Sequence, residues 1–166
     1  MTSAAARPAG LDHSRLTSLV GYVASRAAIE LRKDFARELG PLGLKVLDYS
    51  ILVLVAANPE VNQKQLGEAL DVSAPNMAIT LDRLVERGWV ERVRSTQDRR
   101  AMIIHLTPAG RELVERAEKI AATMERDTLA VLSPAERALL VELLLKVGLR
   151  AAPHRRAART EAAVSD

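Results

Sequence analysis

Apolar residues recur at three- and four-residue spacing along most of this chain, and the spacing shortens to alternation across residues 89–106. Recurrence near 3.6 marks helices with one buried face, and alternation marks half-buried strands. The first helix is predicted over residues 12–39, where Leu16, Leu19, Val20, Val23, Ala27, Leu31 and Phe35 share a stripe. Gly40, Pro41 and Gly43 break it, and a second helix over residues 46–57 is nearly apolar throughout, which predicts a place at the centre of the core. Asn58 and Pro59 end that helix.

The next stretch organises the rest. Asn62 with Gln65 three residues on predicts a capping box opening a short helix, with Leu66, Ala69 and Leu70 on one face. Asp71, Val72 and Ser73 make a turn, and Ser73 is expected to cap a second helix carrying Pro75 in its first turn. Met77, Leu81, Leu84 and Val85 predict its buried side, and Gly88 its stop. The opposite side carries Asn76, Ala78, Ile79 and Arg83, which have no reason to face a core. Residues 89–94 and 101–106 are rich in β-branched side chains and should pair as a hairpin around a basic loop, residues 95–100. Helix, turn, helix and basic hairpin make a winged helix-turn-helix. Its second helix enters the DNA major groove, and its wing reaches an adjacent minor groove or phosphates.

Beyond the hairpin, Thr107 and Pro108 predict the start of a helix carrying Leu113, Ala117, Ile120, Ala121 and Met124 and reaching about residue 131. Ser133 and Glu136 form a second capping box, opening a helix striped by Leu139, Leu140, Leu143, Leu144 and Val147 that Gly148 and Pro153 should end. The fold class is therefore mainly α with a small β-hairpin wing. Residues 1–10 are an expected disordered arm, 11–39 an N-terminal dimerisation helix and 44–106 the DNA-binding lobe, with recognition helix 74–87 and wing 90–106. Residues 107–150 supply C-terminal dimerisation helices, and 151–166 a basic, mobile tail, either a frayed helix or disordered. The terminal stripes exceed what a domain of this size covers by itself, which predicts a homodimer with two recognition helices reading a palindrome.

Composition narrows the partner. Aromatic residues are 2% of 166, too few to supply the stacking platforms of a single-strand binder, whereas a duplex reader needs none. Net charge is only +3, but arginine is concentrated over residues 83–100 and again near the C-terminus. No cysteine is present, which removes disulfides, zinc fingers and thiol-based oxidant sensing. His13, His105 and His154 are too scattered for a local ligand pair, so no metal and no cofactor are expected. No phosphate loop, nucleophile elbow or HExxH motif supports an enzyme. The longest apolar run, residues 51–57, is far below the roughly 18 residues of a membrane span, and no signal peptide is visible, so a cytoplasmic protein is expected.

The run QKQLGEALDVSAPNMAITLDRLVERGWVERVRSTQDRRAMIIHLTPAGREL resembles the core signature of the MarR family of bacterial transcriptional regulators, and with flanking helices the resemblance spans roughly residues 11–149. It implies DNA contacts from Ser73, Ala74, Pro75, Asn76, Ala78 and Ile79, with Arg83 further along. In the wing it implies that Asp98 braces, Arg99 assists or holds phosphate, and Arg100 enters the minor groove. Ile79 departs from the polar or basic residue of many relatives: it cannot hydrogen-bond a base but can pack on a thymine methyl. Asn76 is the candidate for a base edge, adenine above all. Lys64, Arg87, Arg92 and Arg94 read as phosphate or solvent-facing charges.

The resemblance also implies a small lipophilic or phenolic acid as effector, bound near Tyr22, Arg26 and Tyr49, with Arg26 the partner for a carboxylate. The function expected is a ligand-responsive repressor on a palindromic operator. Two alternatives stand beside it: a winged-helix protein-interaction module, and an architectural DNA binder without an effector.

Overall fold

The computed structural model describes residues 11–94 and 102–162, with side chains described to residue 148. Among the described residues seven α-helices and one hairpin follow in order: α1 (Ser14–Thr17), α2 (Val20–Glu38), α3 (Val46–Ala57), α4 (Gln63–Leu70), α5 (Ala74–Glu86), β1 (Val90–Arg94), β2 (Met102–Leu106), α6 (Pro108–Met124) and α7 (Pro134–Ala162). Two compact units result, Met1–Glu125 and Arg126–Asp166. Among the described residues no helix is long and apolar enough to cross a membrane.

The core lies in the first unit. Ile51 and Leu52 of α3 are fully buried, enclosed by Leu39, Leu66 of α4, Met77, Leu81 and Leu84 of α5, Ile104 of β2 and Ala117 of α6. Local chemistry starts most of these elements where the sequence predicts. Asn62 Oδ1 accepts from the Gln65 N–H at 3.0 Å, and Gln65 Oε1 accepts from the Asn62 N–H at 2.9 Å. Thr107 Oγ1 accepts from the Gly110 N–H at 3.0 Å, ahead of Pro108 in the first turn of α6. Ser133 and Glu136 close the box at the head of α7, and the hydrogen bonds from Ser133 hold the Glu136 carboxyl below its ordinary pKa.

The hairpin is antiparallel, with Val90 opposite Leu106 and Arg94 opposite Met102. Its second strand has another neighbour that the alternation did not reveal. The Ile104 N–H donates to the Val61 carbonyl at 2.9 Å, and Asn62 bridges Ile103, so the residues just before α4 extend the sheet. This stitches the wing to the helix-turn-helix.

Several boundaries differ from the periodicity. The first helix breaks at Ser18 and Leu19, where Leu19 is extended and the hydroxyls of Thr17 and Ser18 bond back to the carbonyls of Ser14 and Arg15, competing with helical propagation. On α4, Ala69 is exposed and Gly67 is buried; on α5, Val85 is exposed at 37% and Thr80 takes the inner place. Thr80 remains inside because its hydroxyl donates to the Asn76 carbonyl at 2.8 Å. Helix α6 stops at Met124 rather than near residue 131, giving way to turns through Asp127 and Thr128, poor helix formers. Helix α7 instead runs through Gly148 and Pro153 to Ala162, into the segment expected to be a mobile tail. The alanines and arginines there are strong helix formers, which offsets one glycine at about 1 kcal/mol and one lost amide.

One close approach sets the packing of α6 on the hairpin. A Cβ at Gly110 would lie 1.9 Å from the Trp89 carbonyl oxygen and 2.9 Å from its carbon, both backbone atoms. Trp89 is fixed there because its carbonyl also accepts from the Thr107 N–H at 3.1 Å. In an ordinary helix interior, glycine to alanine stabilises by up to about 1 kcal/mol. Here the sign reverses: Gly110→Ala is expected to destabilise by roughly 2 kcal/mol or more, as overpacking does. Urea denaturation measures it, and a midpoint at or above that of the parent would contradict the close approach.

Candidate nucleic-acid interface

Helices α4 and α5 meet at the turn Asp71-Val72-Ser73. Asp71 takes the left-handed conformation, φ 52°, which aspartate tolerates better than most residues. The Val72 N–H donates to the Gly67 carbonyl at 2.9 Å, and a Cβ on Gly67 would stand 3.0 Å from the Val72 oxygen, so a small residue keeps this turn tight. Ser73 occupies the N-cap position of α5, but its side chain makes no cap hydrogen bond, and Pro75 lies in the first turn.

Met77, Thr80, Leu81 and Leu84 are the buried side of α5, which fixes what the other side presents. Ala74, Pro75 and Asn76 are exposed, Ser73 and Ala78 half-buried, and Ile79 is 66% exposed. The expected contact residues therefore share one outward surface, with one exception.

Arg83 turns inward. Its Nη2 pairs with Oδ1 of Asp48, a carboxylate with no exposed side-chain surface, on α3. The other oxygen of Asp48 accepts from the Lys45 N–H at 3.2 Å, at the start of α3. The helix expected to be nearly apolar throughout thus carries a buried charge, and the arginine expected to face DNA neutralises it. A lone aspartate in an apolar helix was the signal available in the sequence.

Two more arginines are committed to the protein. Arg87 Nη1 donates to the Gly43 carbonyl at 2.7 Å, and its guanidinium lies over the Trp89 ring at 4.5 Å. Gly43 has φ 73°, a conformation that favours glycine. Arg92 on β1 pairs with Asp82 on α5 at 2.6 Å, tying the wing to the candidate recognition helix. Lys64 and Arg94 are exposed. Asp98, Arg99 and Arg100 lie outside the described residues.

The expected effector residues are less concentrated. Tyr22 is half-buried and Arg26 exposed, one turn apart on α2. Tyr49 packs edge-on against Phe35, ring centroids 5.9 Å apart, and burial followed by the Glu118 charge raises its phenol pKa. Phe35 is nine residues from Arg26, about 13 Å along the axis of α2. A separate shallow groove at the end of α3 is lined by Leu54, Asn58, Val61, Gln65, Leu66 and Ala69, and by none of these three residues.

The Asp48–Arg83 pair makes an asymmetric prediction, because the carboxylate is dry while the Arg83 side chain is 35% exposed. Arg83→Met strands a charge in the core and is expected to cost roughly 3–5 kcal/mol. Asp48→Ala leaves a guanidinium that can still reach water and should cost less. Combining Asp48→Leu with Arg83→Met should recover most of the loss, since apolar groups of similar volume replace such pairs well. Denaturant titration of the three variants decides; equal losses for the two single variants would mean the carboxylate is not the constrained partner.

Comparison with known proteins agrees with this architecture. A model described as the MarR family matches residues 42–101. A Thauera aromatica protein assigned to transcriptional regulation of the hcr operon is 31% identical over 140 residues, 84% of each chain. The transcriptional repressor CouR bound to a 23-mer DNA duplex superposes with a TM-score of 0.79 at 35% identity, covering 84% of this chain and 99% of that one. CouR bound to p-coumaroyl-CoA superposes with a TM-score of 0.75 at 32% identity, covering 84% and 98%. With the helix-turn-helix, its hairpin and relatives that match over most of its length, the chain belongs to the MarR family of transcriptional regulators.

Proposed function

We propose that this protein is a homodimeric, sequence-specific DNA-binding repressor, released from its operator by a small aromatic ligand. The observation that carries the reading is the division of α5: one side closes the core through Met77, Leu81 and Leu84, and the other turns Pro75, Asn76 and Ile79 outward. A helix so placed, in a frame shared with a DNA-bound repressor, fits the major groove. In this reading Ser73, Ala74, Pro75, Asn76, Ala78 and Ile79 face DNA, while Arg83, held on Asp48, supports the helix from within. Asp98 and Arg99 support Arg100 in the minor groove, where narrow A·T-rich stretches attract arginine.

The dimer rests on unpartnered apolar surface. Leu16, Leu19, Val20 and Val23 are exposed at the head of the chain, as are Leu139, Leu140, Leu143, Leu144 and Val147 along α7. Two copies joined through residues 11–39 and 107–150 would cover both and set two recognition helices on a palindrome. The work of such a regulator is in the cytoplasm, at its operator.

For the effector, a relative bound to p-coumaroyl-CoA supports a hydroxylated aromatic acid or its CoA thioester. The separation of Tyr49 from Arg26 suits an elongated ligand, with the ring toward Tyr49 and an anionic group at Arg26.

Fluorescence anisotropy with duplexes enriched from a random pool tests the DNA reading. Asn76→Ala should cost roughly 1–3 kcal/mol on the enriched duplex and little on random DNA. Arg100→Ala should weaken both and, for each phosphate it no longer neutralises, lower the slope of log affinity against log salt by about one. Binding by Arg100→Ala identical to the parent on every duplex would favour a protein-interaction module instead. Leu143→Arg should sediment as monomer or aggregate and lose operator affinity, because an unpaired charge replaces an apolar interface residue. In a release titration with p-coumaroyl-CoA and p-coumarate, Arg26→Ala should raise the half-release concentration by about tenfold or more while leaving DNA affinity intact. No release of the parent by either compound would point to the effector-independent binder.

A further inference from the structure

The outward face of α5 lacks the side chains that ordinarily read guanine. Bidentate pairing of arginine with guanine O6 and N7 is the commonest specific major-groove contact. The two arginines at the end of this helix are engaged elsewhere, Arg83 on the buried Asp48 and Arg87 on the Gly43 carbonyl and the Trp89 ring. Over the first two turns of the helix, what projects beside the small Ala74, Pro75 and Ala78 is one amide, Asn76, and one large aliphatic group, Ile79, three residues apart on one face and therefore adjacent. Ile79 is 66% exposed although Met77, Leu81 and Leu84 beside it on the helix are fully buried. A single exposed isoleucine is ordinary on a protein surface. On the base-reading face of a recognition helix its options are few, because the only apolar group on the major-groove edge of the bases is the 5-methyl of thymine.

We infer that Ile79 is a specificity-determining residue that reads a thymine 5-methyl group in each operator half-site, next to an adenine held by Asn76. Discrimination by α5 then depends on methyl position rather than on arginine–guanine pairs. This rests on the DNA-binding reading above.

Replacing thymine by uracil removes the methyl and leaves every hydrogen-bonding group of the base in place, so it isolates the contact. Each thymine of a duplex enriched by the full-length parent from a random pool is changed singly to uracil, and affinity is measured for the parent, Ile79→Ala and Ile79→Val. At one position per half-site the parent should weaken by about fourfold, and by roughly fifteenfold when both half-sites are changed. Ile79→Ala should bind thymine and uracil duplexes within about twofold of each other, and Ile79→Val, which keeps branched methyls, should retain part of the preference. Uracil that is neutral for the parent at every position, or a penalty that persists in Ile79→Ala, overturns the assignment while leaving DNA binding intact. Failure to enrich any duplex overturns the DNA-binding reading and this assignment with it.

Discussion

A carboxylate without water must be paired, and in this protein that requirement joins the centre of the core to the helix that faces outward. Asp48 is wholly buried on α3, with one oxygen on Arg83 of α5 and the other on the Lys45 amide. An apolar contact between α3 and α5 would tolerate sliding, since dispersion and hydrophobic burial are non-directional. An ion pair in a dry site does not, because a small displacement leaves the charge without compensation. The pair therefore ties α5 to α3 at one defined point, within the reach of the Arg83 side chain. Two apolar side chains of similar volume would stabilise this contact about as well, but without its directionality.

Other constraints fix the wing to the same helix. Arg92 reaches Asp82, Arg87 spans from the Gly43 carbonyl to the face of Trp89, and Gly110 allows α6 to rest against the Trp89 backbone. Val61 adds a third extended segment beside β2. Each of these involves residues on or beside α5 or the hairpin. The consequence is a rigid frame whose outward residues, Pro75, Asn76, Ala78 and Ile79, carry little structural duty. Residues with no structural duty can vary between relatives without disturbing the fold, which is where a family can change its operators.

Elements governed by neighbours in sequence were legible. The caps at Asn62 and Thr107 and the box at Ser133 form within three residues, so their residue types announce them. The hairpin and the buried positions Met77, Leu81 and Leu84 follow from period alone. What escaped depends on distance. Asp48 and Arg83 are 35 residues apart, and period put Arg83 on the outward side correctly, but an arginine stem is long enough to carry its guanidinium back to a partner below. The stop of α6 at Met124 and the continuation of α7 past Pro153 escaped because propensities summed over many residues decide them, and one glycine at about 1 kcal/mol or one proline at about 3 kcal/mol is only part of the sum. The helix-turn-helix surface was thus readable as a set of residues. The outward placement of Asn76 and Ile79 was part of that reading, and only the return of the Arg83 guanidinium to Asp48 was not.

The distribution of finished and unfinished surface bears on regulation. In α2, Phe35 and Leu39 just beyond its end are sealed in the core, while Leu19 before its first turn, Val20 and Val23 are open. Tyr22 and Arg26 stand on the open half, and Tyr49 touches the sealed half through Phe35. In the proposed dimer the open half belongs to the subunit junction and the sealed half to the DNA-binding lobe. A ligand spanning Arg26 and Tyr49 would contact both, and such a ligand binds best to whichever arrangement of lobe and junction matches its length. It can shift the equilibrium only by its difference in affinity for the two arrangements. Tyr49 follows Asp48 directly on α3, so in this reading a displacement of α3 at the ligand would reach α5 through the Asp48–Arg83 pair. In the proposed dimer such a connection would link a preference at the junction to the spacing of the two recognition helices, on which binding to a palindromic operator depends.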